Sequence, residues 1–232
     1  MPFMDFRWLS ISTPLNHFFM LKPKPLLLLL VLILSVGWLS SSGYWKRAKT
    51  DWIGSIPKKH EPAAVSGEKM QAKAAEAKAF TERNRYNESV CFLIDMSLSS
   101  GQNRFFVYDL AKDSVRHSAL VTHGNCNQYW LEGRKYSNDV GCGCTSLGKY
   151  KIGNSYQGRF GLAFKLYGLD KSNDHAFSRY VVLHSHSCVP ETEVSDEICQ
   201  SNGCPTVSPG FLQTLKCIIE RSSKPILLWV FE

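Results

Sequence analysis

Apolar residues fall along this chain in sharply different textures. From Pro25 to Leu39 the run PLLLLLVLILSVGWL is almost unbroken. From Gly67 to Asn87 the chain is rich in Ala, Lys and Glu, which predicts a helix with a thin apolar face. From Val90 onward, short β-prone runs alternate with turn signals. VCFLIDM, RFFVYDL and SVRHSALVTHG are the first of these, parted by SLSSGQN and AKDS. LGKYKIGNSYQGRFGLAFKLYGL adds strands broken by glycines, and SRYVVLH reads as a buried strand that delivers His184 at its end. PGFLQTLKCIIERSS predicts a helix from Pro209 to Ser222, with Pro209 near its first turn, and KPILLWVFE a last strand. The pattern therefore predicts a mainly β domain over residues 90–232 with one helix late in the chain.

The first run reads as an export element. Lys22 and Lys24 precede it and small residues follow, the layout of a secretory signal. At roughly 1.5 Å per residue, the stretch as far as Ser42 or Tyr44 also just crosses a ~30 Å hydrocarbon core, which suits a single anchor. Lys46, Arg47 and Lys49 stand directly after it, so charge leaves cleaved signal and retained anchor both open. MLKPKPLLLLL makes Met20 as good a start as Met1. Residues 1–45 are thus expected to be a signal or anchor, and residues 46–89 a polar, proline-punctuated linker followed by the helix. That helix is expected to pack loosely on the domain or to space it from a membrane. The remainder is expected outside the cytoplasm, in the periplasm or cell envelope, with residues 25–44 as the possible tie to the inner membrane.

Composition changes this picture little. With 232 residues and 44% hydrophobic content, the chain can form one ordinary domain plus appendages. A formal charge of +7 suits an acidic polymer, a membrane surface or a cell wall. The basic residues are scattered, and an exported chain rarely meets DNA, so nucleic acid is not expected as a partner.

The candidate chemistry lies in SNGCPTVSPG, Ser201 to Gly210. A thiol at its reference pKa of ~8.5 is mostly protonated at neutral pH, while its thiolate is the nucleophile. A histidine within hydrogen-bond reach makes that thiolate available. Cys204 and His184, the one in a glycine-preceded turn and the other at a strand end, are placed to form such a pair. Gly203 permits close backbone approach, and N–H groups around Gly203 and Cys204 offer an oxyanion hole. With eight cysteines present, a structural role for Cys204 stands as the alternative on spacing alone.

The chain from Val90 to Glu232 resembles the murein L,D-transpeptidase catalytic domain family, in its subgroup with a Ser-x-Gly-Cys-Pro motif. The resemblance runs in order through VCFLIDMSLSS, FFVYDL, LVTHG, YSN, the TSLGKYKIG…SRYVVLH stretch and SNGCPTVS. It implies a β-sandwich domain, Cys204 as nucleophile and His184 as base. It also implies a reaction. Cys204 would attack the carbonyl of the third peptidoglycan stem residue, release D-alanine, and pass the acyl group to an amine or to water. Many members carry a histidine two places before the cysteine and an arginine shortly after it; Asn202 and the PTVS run stand there instead. Where relatives often read His-Gly, this chain has His184-Ser185, and Ser185 is expected to help fix the imidazole tautomer. His123, Tyr156, Arg179, Ser201 and Asn202 are the candidates for binding the stem peptide. No cofactor or metal is implied.

Rival readings remain. An inactive wall-binding module would keep the fold, and an L,D-carboxypeptidase would use only water. Cys142-Gly-Cys144 with Cys126 and His123 has half of a zinc pattern, and a metal-dependent hydrolase using His123, Cys142 and Cys144 stands as a third class. Cys188 and Cys199 flank the loop between base and nucleophile, where a disulfide would close a loop of about a dozen residues, worth roughly 3 kcal/mol in the chain-entropy account.

Overall fold

The computed structural model describes residues 67–232; the expected signal or anchor and the linker as far as Ser66 lie outside the described residues. Helix α1 (Gly67–Asn84) leads into strands β1 (Val90–Asp95), β2 (Phe105–Asp109) and β3 (Ser114–Ala119). β4 (Gly148–Gly158), β5 (Gly161–Gly168), β6 (Val182–Ser185) and β7 (Thr206–Val207) follow, then helix α2 (Pro209–Glu220) and strand β8 (Leu227–Phe231). The mainly β architecture with a late helix is as the pattern predicted.

The eight strands among the described residues form one sheet, in the order β3-β2-β1-β8-β4-β5-β6-β7. β8 joins its two arms, pairing parallel with β1 and antiparallel with β4. The sheet curls until its ends meet, with the Thr122 N–H, just beyond β3, donating to Thr206 O on β7 at 3.0 Å. The two layers expected of a sandwich are therefore two arms of one continuous sheet, enclosing a core that also takes Phe211, Leu212 and Leu215 of α2. α2 starts where Ser208 caps it, the hydroxyl accepting from the Phe211 N–H, and Pro209 fills the first turn.

β1 is buried at every position. A strand turns successive side chains to opposite faces. Phe92 and Ile94 enter the core within the curl, while Cys91 and Leu93 face a second cluster beneath α1. Here the structure differs from a loosely attached helix. Met70, Ala74 and Ala77, at a spacing of three to four residues, seat α1 against Leu93, Phe106, Tyr108 and Phe231. Small alanines let the helix approach closely, and Lys73 lies over the rings of Trp229 and Phe231. The thin apolar stripe suffices because the aromatic surface comes from the sheet.

Candidate active site

Register brings the site together. β6 runs parallel to β7, with His184 opposite Thr206 and Ser185 opposite Val207. Cys204 lies two residues before Thr206, so in the parallel register it comes level with Val182 at the start of β6, two residues short of His184. Its sulfur accepts from the Val182 N–H. Cys204, His184 and Thr206 share a cavity of about 220 Å³ with Thr122, Phe160, His186, Gln200, Ser201 and Asn202.

The nucleophile loop is pinned before it reaches the cysteine. Ser201 donates its N–H to His123 O at 2.9 Å, and its hydroxyl donates to Cys204 O at 2.7 Å. Gly203 has φ +102°, and a Cβ there would lie 2.5 Å from Cys144 O, so glycine is required on both counts. Its N–H donates to the Ser201 hydroxyl at 3.2 Å. The Gly203 N–H, one of the two expected in an oxyanion hole, is thus engaged by a hydroxyl at rest, and among the described residues no hydrogen bond is made by the Cys204 N–H.

Cys204 is a half-buried free thiol. Burial pushes its pKa up, and the Val182 N–H, which donates to the sulfur at 3.5 Å, and the Arg179 charge offset part of that rise. His184 is buried, and burial pulls its pKa down. The Nδ1–H donates to the main-chain oxygen of Ser185 at 3.1 Å, which leaves the lone pair on Nε2. Phe160, from the turn between β4 and β5, stacks on the imidazole with centroids 4.9 Å apart. At neutral pH the two groups thus rest as a thiol and a neutral ring.

The other candidates take varied places. Asn202 is exposed and lines the cavity. Tyr156 pairs with Ala163, and Ala163 with His184, so Tyr156 shares the face of the base two strands away. Arg179 lies behind the loop, its guanidinium donating to Ser137 O, Ser146 Oγ, Cys142 Sγ and Cys144 O. His123 is buried outside the cavity. Its main chain holds Ser201, while Nδ1 accepts from Arg104 at 3.1 Å. Cys144 is bonded to Cys126 and Cys188 to Cys199, leaving Cys91, Cys142, Cys204 and Cys217 free. So Cys144 and His123, two of the three residues of the zinc reading, are already engaged elsewhere.

Phe160 and Thr206 escaped the sequence reading. The signal for Phe160 was an aromatic at the centre of a QGRFG turn, where a polar residue is usual. For Thr206 it was the hydroxyl two residues beyond the cysteine, meaningful only once the β6–β7 register is known.

His123 also sets a pH limit on the fold. Burial, with the Arg104 and Arg134 charges, lowers its pKa to about 4, against ~6.5 unfolded. Its unfolded form takes up the proton first, so stability complete above pH ~6.5 falls as pH drops towards 4, by up to about 3 kcal/mol. Thermal melts of wild type and His123→Gln between these limits check this. The variant is expected to show the shallower fall, and parallel curves would refute it.

Residues 62–229 match the family described as the L,D-transpeptidase catalytic domain. No curated protein matches the chain at a significant level. Among solved structures, the Ldtfm–avibactam carbamoyl enzyme is similar at 14% identity, covering 63% of this chain and 50% of that one, with a TM-score of 0.39. An L,D-transpeptidase from Xylanimonas cellulosilytica shows 15% identity over 66% of this chain and 68% of its own, with a TM-score of 0.34. The helical cell shape determining protein of Campylobacter jejuni shows 12% identity over 72% and 56%, with a TM-score of 0.40. The chain thus spans about half the length of the first and third of these.

Proposed function

The chain belongs to the L,D-transpeptidase catalytic domain family, and on that premise we propose that it is a peptidoglycan-modifying cysteine acyltransferase with Cys204 as nucleophile and His184 as base. The observation that carries this reading is the β6–β7 register, which sets His184 and Cys204 around one cavity with the imidazole lone pair on Nε2.

The thiol proton passes to His184 Nε2 as the sulfur attacks the carbonyl of the third stem residue. In this reading the Cys204 N–H donates to the developing oxyanion. The C–N bond to the terminal D-alanine then breaks, and the departing amine takes the proton from the imidazolium. An amine of a second stem resolves the thioester to a cross-link, or water resolves it to a shortened stem, and the thiol returns. The substrate is the peptidoglycan stem peptide, reached by an exported chain in the periplasm or cell envelope. Two disulfides support that placement, since they persist in oxidising compartments.

The test is incubation of a soluble form starting at Lys46, and of its Cys204→Ala variant, with a disaccharide tetrapeptide bearing a diamino acid at its third position. Products are read by mass spectrometry. A dimer lighter by one D-alanine is expected with wild type only. Loss of D-alanine without dimer would make the chain a carboxypeptidase. Neither product, where a control enzyme turns over the same substrate, would overturn the reading in favour of a wall-binding module.

A further inference from the structure

Three hydroxyls surround the Cys204 carbonyl oxygen: Ser201 at 2.7 Å, Thr122 at 3.2 Å and Thr206 at 3.4 Å. A carbonyl oxygen has two lone pairs. Ser201 and Thr122 make the two shorter bonds, and Thr206, the farthest of the three, has a second acceptor within reach of its proton. That acceptor is His184 Nε2, 3.1 Å from Thr206 Oγ1. The thiol makes no such contact. Among the described residues no hydrogen bond joins Cys204 Sγ to the imidazole, and the S–H faces Tyr180 O at 3.8 Å.

The Thr206 side chain is therefore what the basic nitrogen touches at rest, and it is itself buried. A hydroxyl both donates and accepts. While the ring is neutral, Oγ1–H donates to Nε2. Nε2 has one lone pair, so the hydroxyl must release it before the thiol proton arrives, by turning its own proton to Cys204 O, 3.4 Å away. Oγ1 can then accept from the imidazolium N–H. A simple rotation of the hydroxyl serves both charge states, and the ring need not move. An imidazolium formed beside Phe160 would otherwise be a charge with an unsatisfied N–H in a buried place, at a cost of kilocalories.

We infer that Thr206 is a positioning residue for the base, holding the His184 ring in one orientation through both protonation states; this rests on Cys204 and His184 being nucleophile and base. The register gives the role its precision of placement, since Thr206 stands opposite His184 in the parallel pair. Its N–H is also fixed, donating to Thr122 Oγ1 at 3.2 Å.

The experiment uses iodoacetamide, which reports thiolate formation without any peptidoglycan. Alkylation of Cys204 is followed by peptide mass spectrometry, which separates it from the free Cys91, Cys142 and Cys217. Wild type is compared with Thr206→Ser, Thr206→Val and Thr206→Ala from mildly acid pH to about pH 10. Val and Ala are expected to slow the reaction roughly 10–100-fold near neutral pH, and Ser to stay within about 3-fold of wild type. The deficit is expected to close as pH rises, because hydroxide then ionises the thiol without the ring. Ser and Ala carry the comparison if the valine variant does not fold. The inference is overturned if Val and Ala react as fast as wild type, if Ser is as slow as they are, or if the deficit is the same at every pH. Muropeptide turnover by the same samples separates the two ideas. The expected alkylation pattern without turnover would leave Thr206 in its role and remove the transferase reading.

Discussion

His184→Gln is expected to slow acylation of Cys204 by a carbapenem about 10²–10⁴-fold at neutral pH, the range general base catalysis supplies. The reason is the resting state of the pair. Burial raises the Cys204 pKa and lowers that of His184, so neither group ionises the other in advance. The thiolate must be made during attack, by a ring whose lone pair is already on Nε2. Glutamine keeps a polar head of similar reach but accepts no proton near neutrality. Because the His184 pKa lies below the usual ~6.5, the wild-type rate is expected to hold into more acidic solution than an ordinary imidazole would allow. On the alkaline side the variant should recover as hydroxide takes over. Intact-mass kinetics across pH check both limbs. A variant as fast as wild type at neutral pH would make His184 a structural residue.

Arg104→Met is expected to cost about 3–5 kcal/mol, since each buried acceptor it orphans costs ~1–3 kcal/mol. Arg104 is fully buried. Its guanidinium donates to Val121 O through Nε and Nη2, to Leu98 O, and to His123 Nδ1. Burial lowers its pKa to about 9, which still leaves it charged at neutral pH. Methionine fills much of the volume but leaves Val121 O and His123 Nδ1 without the guanidinium, while Leu98 O keeps the Arg134 Nη2 donor. In a domain of this size, the loss corresponds to a fall in melting temperature of roughly 10 °C. The site should loosen too, because Val121 precedes Thr122, and His123 O holds Ser201. Calorimetry with Cys204 alkylation on the same sample measures both. A melting point within a degree or two of wild type would show that water or a neighbour replaces the guanidinium.

Parts of this arrangement were open to view along the chain. SRYVVLH announced a strand ending in His184, and the glycine before Cys204 announced a tight turn, because both are local properties of a few residues. The helices at Gly67 and Pro209 were readable for the same reason. What stayed hidden depends on which residues stand opposite each other across the sheet. Arg179 could be recognised as a cation near the site, but nothing in its neighbours says that its donors are taken by the Cys142–Cys144 turn. Tyr156 belongs to the row of His184 only through Ala163. Cys126 finds Cys144 because the chain folds back over a turn whose path is not written locally. The seating of α1 was concealed because its apolar partners lie on strands far away in sequence.

β8 sits in the middle of the sheet, between β1 and β4, and it is the last of the eight strands to be synthesised. Until it arrives the two arms have no common backbone ladder, and the row of partners that fixes β1 against β4 does not exist. Every thiol from Cys91 to Cys217 has by then been made, while the curl that sorts them into pairs is still open. In a compartment that forms disulfides the order of emergence matters, because Cys126 and Cys144 are only 18 residues apart while Thr122 and Thr206 are 84 apart. The ladder that ties the two arms together is thus made of contacts distant in sequence, the kind that form slowly, while the pairing of nearby sulfurs needs no such closure.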